Sequence, residues 1–339
     1  MIQDLAKLQE FLSQKEYINS KKFILIDDNT YNYCLAELIE EVDALNGAEI
    51  LEIESSEKTK SLEIVQELAL SLIESQAERS SILICLGGGV ICDIGGFLAS
   101  IFKRGIPHIL IPTTLLAMVD ASIGGKTGVN LNNLKNQIGS FYNPVFTSIH
   151  ISFLDTLSQR HILNGAAEIL KISLLKDNGL FEKIINSSPI GEEGYDEEII
   201  FTSIKLKQEI VESDPKEKGY RKILNLGHSL GHAFESIYLE KEEDLLHGEA
   251  VASGLYYSIK LSEKLLGLPE RKAKQIYDFI EKYYKIIPLK ENLESILNYL
   301  SSDKKNIDNE FCFVLLKDIG NPIIDYRITK QDLIDISQQ

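Results

Sequence analysis

The chain has 339 residues, 44% of them hydrophobic and 25% charged, ordinary values for a soluble globular protein that exclude a disordered or fibrous one. A formal charge of -16 argues against a nucleic-acid partner, since a polyphosphate backbone needs a net basic face, and obliges any anionic small molecule to find a local basic pocket. At this length two domains sharing a cleft are expected, 1–152 and 153–339.

The N-terminal segment MIQDLAKLQEFLSQKEY mixes acids and bases without an apolar core, so it does not read as a secretory signal. Beyond it, KFILID (22–27), AEILEI (48–53), SILICL (81–86) and HILIP (108–112) alternate with helical patterns, among them the periodic segment from Glu57 to Gln76. That rhythm predicts βα units, a mostly parallel sheet, and binding loops at the strand ends, 27–30, 87–93 and 113–120. The strongest apolar stretch, His108 to Val119, is too short to span a bilayer and is cut by Pro112, so a cytoplasmic protein with no membrane partner is expected. From Phe153 onward, segments with i, i+3, i+4 apolar spacing follow one another, broken at Pro189 to Gly194, Pro215 to Gly219 and Pro269. They predict an all-helical second domain, in which FCFVLL (311–316) is a single late strand. Cys34, Cys85, Cys92 and Cys312 show no C-x-x-C spacing and are expected to be structural thiols.

Gly87-Gly88-Gly89 follows a buried strand and precedes a helical run containing Asp93, a position where missing side chains let backbone N–H groups approach a pyrophosphate. The spacing is not G-x-G-x-x-G, and a glycine triplet after a strand also serves as an ordinary tight turn. Asp27 and Asn29 end one strand, where an acid can accept from a ribose diol, while Thr113 and Thr114 end another and offer hydroxyls. Each also has a local use, as a turn or an N-cap. In the second half, His228 and His232 stand four apart and share one helical face, and His247 and Glu168 add two further candidate metal ligands. Three protein ligands on zinc leave positions open for substrate oxygens. Spacing alone does not separate the ligands from a proton-transferring histidine.

Taken in order, GGGVICDIGGF, RGIPHILIPTTLLAMVDASIGGKTGVN, KNQIGSFYNP, GAAEILK, RKILNLGHSLGHAFES and HGEAVASG resemble the dehydroquinate synthases, a family within the sugar phosphate cyclases. The resemblance runs from about residue 22 to residue 318. It implies a dehydroquinate synthase-like fold: an α/β domain that binds NAD and a helical domain that binds Zn2+ or Co2+, in a homodimer. By motif position Glu168, His228 and His247 become the metal ligands and His232 the proton-handling histidine. Asp120, Lys126 and Lys171 join His232 as catalytic candidates. Arg104, Lys126, Lys135, Asn136, Lys207, Arg221, Asn225 and Lys305, or its neighbour Lys304, fall at positions that bind the substrate, Arg104 across the dimer. Asp27, Asn29, Glu57, Lys60, Gly88, Gly89, Val90, Asp93, Thr113, Thr114, Lys135, Phe153 and Thr156 match NAD contacts. The segment ESSEKTKS departs from the family by lacking its usual Pro-Gly lead-in.

The reaction so implied converts 3-deoxy-D-arabino-heptulosonate 7-phosphate to 3-dehydroquinate and phosphate. A transient NAD-dependent oxidation acidifies the neighbouring C–H, phosphate is eliminated, the ketone is reduced again, and an intramolecular aldol closes the ring. The alternatives are a cyclase for another sugar phosphate and a metal-dependent polyol or alcohol dehydrogenase. Retention of His232 favours dehydroquinate over the first. The lysine and arginine set, with Glu168 where the dehydrogenases typically carry Asp, disfavours the second.

Overall fold

Strands whose residues are apolar without alternation are buried on both faces, and here they form the middle of a parallel sheet. The computed structural model describes residues 2–131, 134–176, 179–190, 194–302 and 310–338. Two units divide the chain, Met1–Ile162 and Leu163–Gln339.

The first unit runs β1 (Ile2–Gln3), α1 (Leu5–Leu12), β2 (Lys22–Asp27), α2 (Asp28–Tyr33), α3 (Leu35–Glu41), β3 (Glu49–Ile53), α4 (Leu62–Glu74), β4 (Ile82–Gly87), α5 (Gly89–Ile101), β5 (His108–Pro112), β6 (Lys126–Leu131), β7 (Leu134–Phe141) and β8 (Phe146–Ser148). The sheet order is β1-β8-β5-β4-β2-β3, with every pairing parallel. The edge strand β3 alternates buried and exposed residues and carries Glu49 and Glu52, charges that discourage pairing with another chain. From β2 the chain steps outward to β3 and then returns to the opposite side of β2 as β4. The direction of winding therefore reverses between β2 and β4, and in open α/β sheets the crevice beyond the carboxyl ends at such a reversal is where ligands bind. The residues there are Asp27 to Asn29 and Gly87 to Gly89. Sequence patterning did not anticipate the antiparallel β6/β7 hairpin.

The second unit contains the body of α6 (Gln159–Leu175), then α7 (Leu180–Ile185), α8 (Glu197–Ser213), α9 (His228–Glu240), α10 (His247–Leu266), α11 (Glu270–Tyr283), α12 (Leu289–Ser302), β9 (Glu310–Asp318), β10 (Asn321–Thr329) and α13 (Lys330–Ser337). It is helical but not entirely so: the FCFVLL run forms β9, and β9 pairs antiparallel with β10. The second strand escaped the sequence pattern because two register shifts break its alternation and Asp325 sits at a φ of 54°. Phe313, Leu315 and Ile328 of this hairpin pack with Phe234, Leu261, Ile296 and Leu333 into the core of the unit. Among the described residues no helix is long and apolar enough to cross a membrane.

His108, at the start of β5, is fully buried, and neither ring nitrogen has a hydrogen-bond partner. Its ring stacks on Tyr142 with centroids 5.3 Å apart. Burial pushes its pKa down to about 4 from an ordinary 6.5. The folded chain then stays neutral there while the unfolded chain takes up a proton, so stability falls as pH drops from 6.5 toward 4 and is flat above that window. The gap between the two values caps the loss at about 3 kcal/mol. We expect urea unfolding between pH 4.5 and 7.5 to show this slope in the wild type and a flatter one in His108→Leu. Parallel slopes would mean that the imidazole is not the source.

Candidate active site

In the first unit, α5 begins where β4 ends. Its N-cap is Gly88, which gives no side-chain cap, so the first N–H groups of the helix remain open to an anion. A Cβ on Gly88 would come within 3.2 Å of the Thr114 methyl, so the glycine keeps clear a cradle that a side chain would fill. Residues Asp27, Asn29, Gly88, Gly89, Val90, Thr113 and Thr114 all cluster beyond the carboxyl ends of β2, β4 and β5. Part of this set has local duties. Asp27 Oδ1 accepts from the Thr30 N–H (2.8 Å) and hydroxyl (3.0 Å), capping α2, while Asn29 Nδ2 donates to Ser55 Oγ at 2.7 Å. Thr114 Oγ1 accepts from Ala117 N and starts a π-helical turn, Ala117–Ala121, that holds Asp120. Such turns concentrate at functional sites, and sequence periodicity does not reveal them.

Lys60 is buried and donates to Asp93 Oδ2 and to Asn136 Oδ1, both at 2.6 Å, and Asn130 donates to Glu57 Oε1 at 3.0 Å. Glu57, Lys60, Asp93 and Asn136 thus form one network linking the 57–60 segment, α5 and the β6/β7 hairpin. Burial raises the Asp93 pKa, and the Lys60 charge opposes that rise. Lys126 and Lys135 lie on the hairpin strands. Phe153 is buried against His150 rather than presented to solvent, and Thr156 follows it on the surface. Arg104 lies beyond the far end of α5, roughly 20 Å along the axis from Gly89 at 1.5 Å per residue, and therefore apart from the glycine loop. Lys103 and Arg104 both take left-handed φ values, 49° and 69°.

In the second unit, Glu168, His228 and His247 each offer a ligand atom, and these atoms lie within 4.8 Å of one another. Glu168 is on α6, while His228 and His247 are the first residues of α9 and α10. His228 Nε2 and His247 Nε2 are both 3.5 Å from Glu168 Oε1. Tetrahedral zinc with ligands near 2.1 Å spaces its donors by roughly 3.4 Å, so the cluster has the dimensions of a metal site. Glu168 is 1% exposed and neither carboxylate oxygen has a hydrogen bond of sound geometry, although Lys171 Nζ is paired with Oε2. Burial works to raise the Glu168 pKa, but Lys171, His247 and Lys207 outweigh it and hold the carboxyl well below the usual range.

Each imidazole is anchored through the nitrogen that faces away from Glu168. His228 Nδ1 is 3.1 Å from the Leu226 carbonyl, an arrangement in which Nδ1–H donates and Nε2 keeps its lone pair. His247 Nδ1 is 3.3 Å from Glu235 Oε1. Burial, then the charges of Lys171, His232 and His247, push the His228 pKa well below its ordinary value. For His247 burial acts downward, but Glu235 and Glu168 raise the pKa to about 10. The anchored rings, the donor types and the buried carboxylate fit a divalent cation.

His232 lies one turn along α9, its ring centroid 5.2 Å from that of His228 and 6.3 Å from that of His247. It does not belong to the ligand cluster. With His228, Asn225, Lys222, Cys312 and Asp325 it lines a pocket inside this unit. Lys207 on α8 and Arg221 in the 220–225 turn are buried cations. The turn is organised by Asp214, whose carboxylate accepts from the N–H groups of Lys218, Gly219 and Arg221. Asn225 donates to Glu217 Oε1 at 3.0 Å. Lys305 lies outside the described residues, as do Asp303 and Lys304. Sequence reasoning missed Glu235, whose signal was its place seven residues after His228, two turns along one helical face. All four cysteines are free, and burial lifts Cys34 to about 12 and raises Cys85 and Cys92, so these three stay as thiols.

Two family models match this chain: the 3-dehydroquinate synthase N-terminal region over residues 50–164 and the C-terminal region over residues 165–306. A 3-dehydroquinate synthase of Parabacteroides distasonis is 40% identical over 97% of this chain and 93% of its own length. Among solved structures, a 2-epi-5-epi-valiolone synthase from Streptomyces hygroscopicus subsp. jinggangensis with NAD+ and Zn2+ bound superposes with a TM-score of 0.85 at 26% identity, covering 99% of this chain and 94% of that one. A 2-deoxy-scyllo-inosose synthase complexed with carbaglucose-6-phosphate, NAD+ and Co2+ gives 0.84 at 25%, covering 99% and 95%. With both halves matched in order and the match extending over nearly the whole length, this chain belongs to the 3-dehydroquinate synthase family.

Proposed function

We propose that the chain catalyses the reaction of its family, the phosphate-eliminating cyclisation of 3-deoxy-D-arabino-heptulosonate 7-phosphate to 3-dehydroquinate, using NAD that is returned unchanged and a divalent cation, Zn2+ or Co2+. The observation that carries this reading is the Glu168, His228 and His247 cluster with a third imidazole, His232, one helical turn away, in a chain of that family. Glu168, His228 and His247 would hold the cation, and the open N-terminus of α5 with Gly88, Gly89, Thr113 and Thr114 would hold the NAD pyrophosphate. When bound, NAD supplies reversible oxidation of a secondary alcohol and the cation supplies a Lewis acid.

The residues of the chain have four further tasks. Lys207, Arg221, Asn225, Lys126, Lys135 and Asn136 bind and orient the anionic sugar, offsetting the repulsion of a protein of charge -16. His232 moves a proton at its imidazole nitrogen, and Lys171 keeps the Glu168 carboxylate ionised through their ion pair. Asp120 lies in the π-helical turn and would serve as the acid that the family motif places at this position. A homodimer in the cytoplasm is part of the same proposal, with Arg104, exposed in its left-handed loop, serving the partner's site.

The test is phosphate release from the purified chain with the heptulosonate phosphate and substoichiometric NAD+. Many turnovers per NAD+ are expected, abolished by chelation and restored by Zn2+ or Co2+. Stoichiometric NADH from a simple polyol would instead identify a dehydrogenase, and turnover of glucose 6-phosphate alone would identify another cyclase.

A further inference from the structure

The first residues of α9 and α10 bring two imidazoles to one carboxylate, and the two rings are anchored differently. His228 leans on a backbone carbonyl, which the fold supplies whatever the sequence. His247 leans on a side chain. Glu235 comes from the third turn of α9, is 6% exposed, and faces His247 Nδ1 with Oε1 at 3.3 Å. His247 Nε2 is thereby turned to Glu168 Oε1. A buried carboxylate is costly unless it has a partner, so its presence at the back of a ligand calls for an account.

We propose that Glu235 is a positioning residue of the metal centre: it accepts from Nδ1–H of His247, fixes that tautomer and ring plane, and so presents the Nε2 lone pair to the cation. The inference rests on the three-ligand reading given above. The same contact gives a direction to a ring that is otherwise partly exposed. The backbone around it is held independently: Glu249 Oε2 accepts from Leu246 N at 2.9 Å, and Asn164 Oδ1 accepts from Gly248 N at 2.5 Å. Those bonds place the Cα of His247 but leave its side-chain torsions free. Among the described residues Glu235 is the polar partner of Nδ1, and that contact selects among them. A carboxylate behind a ligating imidazole also makes the ring a stronger donor, so its removal weakens metal binding even where the ring stays in place.

The test uses the full chain stripped of metal and titrated with Zn2+ against a chromophoric chelator, then with Co2+ while its visible absorption is recorded. Glu235→Ala is expected to weaken Zn2+ binding 10- to 100-fold and to alter the Co2+ band, because the geometry or donor strength at one ligand changes. Glu235→Gln keeps the shape and an accepting oxygen and should recover part of the affinity. A residue that served packing alone would lower the melting temperature of the metal-free protein and leave the affinity and spectrum of its folded fraction as in the wild type. That result in both variants overturns the proposal. Should Glu235→Ala fail to fold, Glu235→Gln decides: affinity within two-fold of the wild type with an unchanged Co2+ band refutes the role. A wild-type chain that takes up neither ion refutes the three-ligand centre and this inference with it, an outcome distinct from a wild type that binds and variants that bind equally well.

Discussion

Replacing His228 and His232 separately by alanine is expected to give two different failures, although the residues sit on one face of α9 with ring centroids 5.2 Å apart. His228 places Nε2 3.5 Å from Glu168 Oε1 and leans its Nδ1 on a backbone carbonyl, so it has the bearing of a ligand. In His228→Ala the cation keeps two protein donors, and affinity should fall by more than the roughly 100-fold that loss of an outer partner costs. Activity then vanishes with the metal. His232 stands outside the cluster and beside Asn225 in the adjoining pocket. His232→Ala should keep Zn2+ at wild-type stoichiometry while turnover drops about 100- to 10,000-fold, the span for removing a positioned proton-transfer group. Metal content by emission spectroscopy, read beside phosphate release, separates the two. Equal loss of metal in both variants would overturn this division of roles.

The parts of this architecture that were legible in the sequence share a physical cause. Strands buried on both faces, such as β2, β4 and β5, are written as unbroken apolar runs, and the β-branched residues of SILICL and HILIP suit that environment. Glu168, His228 and His247 stood out because histidines are few and the blocks around them are distinctive. What stayed hidden has a pattern too. The β6/β7 hairpin is built from KTGVNL and LKNQIGSF, where glycines and asparagines blur the alternation that marks a strand. Gly128 and Gly139 are paired there across the two strands, and a Cβ on Gly139 would come within 2.3 Å of the Thr127 carbonyl oxygen, so the pair is needed for close approach rather than for turning. The second strand of the late hairpin is masked by its bulges, and the π-helical turn at Asp120 by its short length. Glu235 was overlooked for another reason. A carboxylate on a helix reads as solvated surface until the fold shows that it is buried against an imidazole.

The substitution Gly254→Ala adds one methyl group in the middle of α10, and we expect it to damage the metal centre from two turns away. Helices α9 and α10 approach closely because glycine stands on both sides of the contact. A Cβ on Gly254 would lie 2.0 Å from the Gly227 carbonyl oxygen and 2.9 Å from Gly231 N. Carbon and oxygen tolerate roughly 3.3 Å, so the helices must part by about an ångström or the start of α9 must unwind. Both obstacles are backbone, and no side chain is free to swing aside. Gly227, which takes the strike, has a left-handed φ of 78° and immediately precedes His228, while His247 opens the helix that carries Gly254. Separation therefore moves one imidazole relative to the other. Overpacking of this kind costs about 1 to 3 kcal/mol and occasionally more, and here the backbone clash favours the upper end. The metal-free protein should melt earlier and Zn2+ should bind more weakly. Gly267→Ala at the C-cap of the same helix is the control: its φ is 69° but nothing lies within 4 Å of the added carbon, so it should cost about 1 to 2 kcal/mol through backbone strain and leave Zn2+ affinity untouched. If Gly254→Ala matched the wild type in both melting temperature and Zn2+ affinity, the two helices would be free to slide apart. Close glycine packing would then not be what sets the distance between the two imidazoles.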